Sequence, residues 1–235
     1  MTEPAPRKSD LGVRVLSAVV MVAVAGTALW LGGWVWTILV ATVAVGVFWE
    51  WRGLVSAFEP SLAKRALWYA GGFVYVGTAV AVLLLMRDGY HGAELVIALV
   101  ATVIAIDVGA YFAGRTIGGP KIAPAISPSK TWAGLAGGVV AAIFAIALAE
   151  RQTGAVGTPS LIVVFGFVAA LVAQAGDFFE SWMKRRASVK DSGKLIPGHG
   201  GLLDRVDGLL AICMVIGIVF AGEISAFLIL PYPDK

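Results

Sequence analysis

Residues 184 to 208 read KRRASVKDSGKLIPGHGGLLDRVDG. Nine formal charges and a Gly-His-Gly-Gly turn fall in this stretch, inside a chain of 235 residues that is 59% hydrophobic and only 14% charged. It joins two apolar runs: one closes at Phe179 before the basic cluster, and the next opens at Val206 behind Asp204. A polar segment wedged between two runs of that kind is a loop between membrane helices, and this sets how the rest of the chain is read.

A mean hydropathy of +0.87 lies far outside the range of a soluble domain. Apolar runs near the ~20 residues that cross a bilayer recur at 13–31, 34–51, 66–86, 94–112, 131–148, 160–179 and 206–230. Seven spans are therefore expected. They must be helical, because a helix satisfies its own backbone hydrogen bonds in lipid and no ~10-residue alternation of a membrane barrel is present. The expected fold is all-α and polytopic. The first run is longer than a signal-peptide core and passes through Trp30 without a clear cleavage site, so it reads as a retained span. With alternating loops, fifteen of the 18 basic residues fall on one side and only Arg87, Arg151 and Lys235 on the other. The positive-inside rule then puts the N-terminus and the polar loops 113–130 and 180–205 in the cytoplasm, in a plasma or inner membrane. The charge of +3 is explained by topology and local anion binding, not by a nucleic-acid surface. Cys213, the single cysteine, falls in the last span and reads as a small packing residue. Tryptophans near span ends, among them Trp30, Trp34, Trp36, Trp49, Trp51, Trp132 and Trp182, read as interface markers.

Ionisable groups concentrate in the later spans, which divides the chain into a scaffold of three spans over 1–90 and a catalytic region of four spans over 91–235. Asp177, Glu180 and Ser181 stand at i, i+3 and i+4 on one helical face. A carboxylate near lipid requires a partner or a cavity, and a bridge from Asp177 to Lys184 or Arg185 is the plain structural account. Asp204 and Asp207 sit in the first turn of a helix, where the dipole alone favours acids. Together with Asp177 they offer three hard oxygen ligands suited to Mg²⁺. The turn at 196–201 has glycines that permit positive φ and close backbone approach, as phosphate cradles require. Earlier, Asp107 precedes a second polar block in which Ser127, Ser129 and Thr131 can cap the following helix and Lys130 can anchor it. The sharper reading of that block is a second anion clamp. Gly134 and Gly138 form a small-xxx-small pair that reads as helix packing.

Taken together, Ser181, Met183, Lys184, Arg185, Lys190, Asp191, Gly193, Ile196, Pro197, His199, Gly200, Gly201, Leu202, Asp204, Arg205, Val206 and Asp207, at their fixed spacings, resemble the signature of the phosphatidate cytidylyltransferase (CDP-diacylglycerol synthase) family. The blocks Asp107 to Arg115, Ser127 to Thr131 and Gln174 to Ser181 are similar to other blocks of that family. The resemblance is strong over roughly 100–210 and rests on hydrophobicity alone before that. Ala133 stands where many relatives carry an acidic residue, and some relatives have more spans.

The resemblance implies transfer of a cytidylyl group from CTP to phosphatidic acid at the cytoplasmic interface, with pyrophosphate released. It implies Asp177, Asp204 and Asp207 as ligands of one or two divalent ions, Mg²⁺ foremost, with room for a monovalent cation. Asp177, Asp204, Asp207 and Lys190 are the expected catalytic set. Lys184, Arg185 and Arg205 would neutralise phosphate; Ser127, Lys130, Thr131 and Ser181 would orient substrate; His199, Gly200 and Gly201 would shape the pocket; Asp107 and Asp191 would orient their neighbours. The bilayer is the expected environment and a homodimer is compatible with the family. The competing class is an ion-coupled permease, which predicts internal repeats and mid-membrane charges; here the acids cluster at span ends. A CTP-dependent lipid kinase would share the nucleotide but release CDP.

Overall fold

The computed structural model describes residues 11–196, 198 and 200–227. In chain order these form α1 (Leu11–Leu31), α2 (Gly33–Phe58), α3 (Leu62–Asp88), α4 (Gly92–Thr116), β1 (Lys121–Ala123), β2 (Ser127–Thr131), α5 (Trp132–Thr153), α6 (Pro159–Arg186) and α7 (Leu203–Phe227). Six of the helices, α1 to α6, are long and apolar enough to cross a membrane. The seventh expected span begins in α7; its expected end at Leu230 lies outside the described residues, as do Pro197 and His199. The chain is an all-α, multi-pass membrane protein.

The helices overrun the apolar windows at the charged end of the bundle. α4 continues to Thr116 through Arg115, and α6 continues to Arg186 with Lys184, Arg185 and Arg186 in its last turn, where cations complement the helix dipole. Between α4 and α5 the chain makes a hairpin within a segment whose sequence reads as loop. Lys121 pairs with Thr131 and Ala123 with Ser127. Pro128 lies within β2 and cannot donate, which a two-stranded ribbon tolerates.

The second half of the chain is built around a close seam between α4 and α5. A Cβ added to Gly109 would lie 2.6 Å from the Gly137 carbonyl oxygen, and one on Gly137 would meet the Gly109 carbonyl at the same distance. Gly134 and Gly138 face Ala110 and Ile106 of α4, so the packing reading of that pair is correct and extends to Gly137. α6 packs on α5 and α7 on α6, while α3 lies between α2 and α7 and closes the bundle. One buried core joins Val47, Trp51, Leu54 and Val55 of α2 to Val76 and Val82 of α3 and to Met183, Leu203 and Cys213, the last fully buried as a packing residue.

Two tryptophans read as interface markers are core residues instead. Trp36 and Trp51 are 7% and 3% exposed, because each indole N–H donates to a backbone carbonyl, Trp36 to Leu83 and Trp51 to Trp68. Trp51, Trp68 and Trp182 join Phe58, Tyr75 and Phe179 in one aromatic cluster. Trp30, Trp34, Trp49 and Trp132 remain exposed, as interface residues would be.

Candidate active site

Two charged clusters meet along the last two turns of α6. The first centres on Asp177, whose Oδ2 receives Lys130 Nζ at 2.5 Å and whose Oδ1 accepts from Ser181 Oγ at 3.3 Å. Lys130 arrives from β2, held in place because Thr131, the next residue, caps α5 by accepting from the Gly134 N–H at 3.0 Å. The structural bridge expected from Asp177 to Lys184 or Arg185 is therefore replaced by one to Lys130. Asp107 of α4 and Asp207 of α7 lie within electrostatic reach of Asp177 and of Lys130, and Arg205 reaches Asp107. Among the described residues, the only hydrogen bond to the Asp207 carboxylate comes from the Gly208 N–H, at 2.8 Å.

The second cluster is a lock. Lys184 Nζ lies 2.6 Å from Glu180 Oε2 and 2.6 Å from Asp204 Oδ1, joining α6 to the start of α7. The other oxygen of Asp204 accepts two backbone N–H groups, from Ser192 at 3.0 Å and Gly201 at 2.9 Å. Both oxygens of Asp204 are thus engaged in holding the 187–202 loop. Glu180 is 3% exposed and its Oε1 has no partner among the described residues.

Glu50 of α2 is the residue that sequence reasoning missed. It is 3% exposed, and its carboxylate accepts from Ser192 Oγ at 2.8 Å, the Leu202 N–H at 3.0 Å and the Leu203 N–H at 2.8 Å. Leu203 opens α7, so Glu50 satisfies a donor that a helix start leaves without an intrahelical acceptor. Gly193 and Gly201 press against the same carboxylate; a Cβ on either would overlap it or Ser192. The only sequence signal was a lone acid between Trp49 and Trp51 inside an apolar run.

The remaining expected residues divide. Gly200 has φ of +81° and Gly198 of +76°, as the turn reading required. Ile196 and Gly200 close that turn by an isolated bridge. Arg185 Nε donates to the Ile126 carbonyl at 3.3 Å and ties the end of α6 to the hairpin. Ser127 is buried within β2. Lys190 and Asp191 are exposed on the loop and join neither cluster. His199 lies outside the described residues.

A polar cavity of about 540 Å³ opens beside the first cluster. Asp107, Tyr111, Arg115, Lys121, Ser129, Lys130, Thr131 and Gln174 line it. Its volume falls within the roughly 300–1,000 Å³ of small-molecule sites. Three cations, Arg115, Lys121 and Lys130, beside the Asp107 carboxylate suit a polyanion that brings its own counter-ion. Among the described residues no group of three or more acidic, histidine or cysteine side chains forms a cage for a metal by itself.

Comparison with known proteins bears on this cavity directly. The model of the cytidylyltransferase family matches residues 59–221, which includes every element that lines it. Among curated proteins, the chain is 33% identical to a phosphatidate cytidylyltransferase of Brucella suis over 91% of this chain and 95% of that one. It is 31% identical to one of Rickettsia bellii, over 87% of this chain and 88% of its relative. A further protein of that name from Haemophilus influenzae is 41% identical over 53% of this chain and 45% of its own length.

Proposed function

The chain belongs to the phosphatidate cytidylyltransferase family, and on that premise we propose that it transfers the cytidylyl group of CTP to the phosphate of phosphatidic acid. The observation that carries the reading is Lys130, which lines the polar cavity and is paired with Asp177, with Asp107 and Asp207 within electrostatic reach. Cations and carboxylates interleaved at one end of a membrane bundle suit the meeting of a soluble polyphosphate and a lipid phosphate.

A phosphate oxygen of the lipid attacks the α-phosphorus of CTP. The bond from that phosphorus to the bridging oxygen breaks, and pyrophosphate leaves with the electron pair. The attacking monoester is already anionic, so the chain has no strong base to supply; the barrier lies in bringing two anions into line. Lys130, Arg115 and Lys121 hold phosphate in the cavity, and Thr131 fixes Lys130 through its cap. The Lys184 lock and Glu50 hold the loop and the first turn of α7, and so fix Arg205 and Asp207 within electrostatic reach of the first cluster.

The donor set fits a divalent ion with a sparse protein shell. Asp177 and Asp207 are the carboxylates placed to hold it, with Asp107 behind them. Mg²⁺ is commonly bound through one or two carboxylates, with water and substrate phosphate completing its shell. When bound it would neutralise charge developing on the phosphates. Asp204, expected as a third ligand, accepts two backbone N–H groups that fix the loop as well as Lys184, whereas Asp177 is held by the side chains of Lys130 and Ser181, and we assign Asp204 the anchoring role. The charge asymmetry of the loops supports a cytoplasmic setting for this end of the bundle, where CTP is available.

The test is direct: protein purified in detergent receives phosphatidic acid, labelled CTP and Mg²⁺. Organic-soluble cytidine label with stoichiometric pyrophosphate, both lost on chelation, is expected. Release of CDP in place of pyrophosphate would make the chain a lipid kinase and overturn the reading.

A further inference from the structure

Sharing no lining residue with the polar cavity, a second concavity of about 470 Å³ lies along α3, lined by Lys64, Trp68, Gly71, Tyr75, Phe179 and Met214 among others. It is apolar apart from its rim. Lys64, Trp68, Gly71 and Tyr75 fall on one stripe of α3, so the groove runs along the helix for 11 residues, or about 16 Å at 1.5 Å per residue. Lys64 stands at its charged end, the same end of the bundle that holds the reaction cavity.

Three observations separate this groove from ordinary lipid-facing surface. First, its glycines differ in what they meet. A Cβ on Gly72 would collide with the Trp51 indole, so Gly72 seats the core; a Cβ on Gly71 would meet nothing within 4 Å. Gly71 costs helix stability without any internal packing that requires it, and it leaves the groove floor bare. Second, the neighbouring cations are engaged and Lys64 is not. Arg65 donates to the Glu59 and Ser56 carbonyls, and Arg186 stacks on Phe58 and Trp182, while Lys64 has no polar partner among the described residues. Third, the groove wall is shared with the site. Tyr75 and Phe179 also line a cavity of about 10 Å³ with Glu180 and Asp207, and the Tyr75 hydroxyl donates to the Asp207 carbonyl at 3.5 Å.

We propose that this groove is a binding site for an anionic phospholipid of the surrounding bilayer, held outside the reaction cavity. Its phosphate pairs with Lys64 and one acyl chain lies over Gly71 against Trp68 and Tyr75. A cation at the interface end of an apolar slot matches the charge order of such a lipid, phosphate outermost and chain inward. A zwitterionic lipid would fill the slot equally but gain less from the unpaired ammonium.

The proposal does not depend on the chain's catalytic activity, and its test reads bound lipid alone. The full chain is reconstituted in nanodiscs of equal phosphatidylglycerol and phosphatidylcholine, released, and its retained lipids are identified by native mass spectrometry. Wild type is expected to retain phosphatidylglycerol in preference. Lys64→Gln should lower that preference roughly fivefold, the effect of about one interfacial charge. Gly71→Phe, whose added Cβ meets nothing within 4 Å and whose ring occupies the slot, should abolish retention. Gly53→Phe is the control: Gly53 is exposed on α2, has nothing within 4 Å of an added Cβ and does not line the groove. Equal retention of both lipids by wild type, or unchanged retention in Gly71→Phe, overturns the proposal. So does a Gly71→Phe protein that loses only a dimer mass, since the face would then be a contact between copies.

Discussion

The Glu50 carboxylate accepts the backbone N–H of Leu203 at 2.8 Å, across 153 positions of sequence. One side chain of the first half thereby fixes where α7 begins, and with it the direction of Asp207. Glu50 also receives Leu202 and Ser192, so the charged loop folds around it. Glu50→Ala leaves these donors buried without an acceptor, at about 1–3 kcal/mol each. The expected outcome is loss of cytidylyl transfer with a lowered melting temperature in detergent, and faster tryptic cleavage at Lys190 and Lys194. Glu50→Gln retains one acceptor oxygen and should fall between the two. Wild-type activity and cleavage in Glu50→Ala would remove this residue from the loop's support.

Lys184 separates two carboxylates that would otherwise face each other. Glu180 and Asp204 have side chains only 4% and 8% exposed, so removing the ammonium leaves two buried acids without a cation between them, Asp204 keeping its two backbone N–H donors. Lys184→Met should destabilise by about 3–5 kcal/mol, the cost of breaking a buried pair from one side. Adding Glu180→Gln relieves the repulsion and should recover part of the melting temperature. A double variant no more stable than Lys184→Met would show that the three groups are not coupled as the distances indicate.

The spans and the charged end of the bundle were legible because hydropathy and loop charge are one-dimensional signals. Long-range polar pairing is not. Asp177 had Lys184 and Arg185 within two helical turns as apparent partners, yet it takes Lys130 from β2. Lys184 is instead drawn to Glu180 and across to Asp204. The hairpin was hidden for a related reason: SPSKT carries serine and proline, which read as turn, and pairs as a strand only because α4 and α5 bring its ends together. Trp51 gives the same apolar pattern at an interface or in a core; the carbonyl of Trp68, which receives its N–H, decides between them.

Lys130 and Asp177 are each about a quarter exposed, 21% and 26%, and Lys130 lines the polar cavity. A pair so placed stabilises little, on the order of 0–1 kcal/mol, because water screens it. Lys130→Ala should therefore melt close to wild type while losing activity, with the defect appearing as a raised KM for CTP if Lys130 holds phosphate. Loss of stability matching the loss of activity would make the pair structural. Thr131→Ala, which removes the α5 cap, should cost about 1 kcal/mol and weaken activity less than Lys130→Ala.

The carboxylates divide by what already touches them, and this makes their roles separable. Asp204 accepts Lys184 and two backbone N–H groups, whereas the Asp207 carboxylate has only the Gly208 N–H among the described residues and faces the like charge of Asp177. Asp207→Asn removes that repulsion, so its melting temperature should equal or exceed wild type while transfer is abolished. Asp204→Asn puts an amide donor against Lys184 or the loop N–H groups, and should lower both activity and melting temperature. Mn²⁺ binding, followed by electron paramagnetic resonance in the absence of substrate, separates the roles further. Asp177→Asn and Asp207→Asn should each weaken it at least tenfold, a difference of about 1.4 kcal/mol, while Asp204→Asn retains it in the folded fraction. Mn²⁺ affinity that depends on Asp204 and not on Asp207 would reverse the assignment of anchor and ligand.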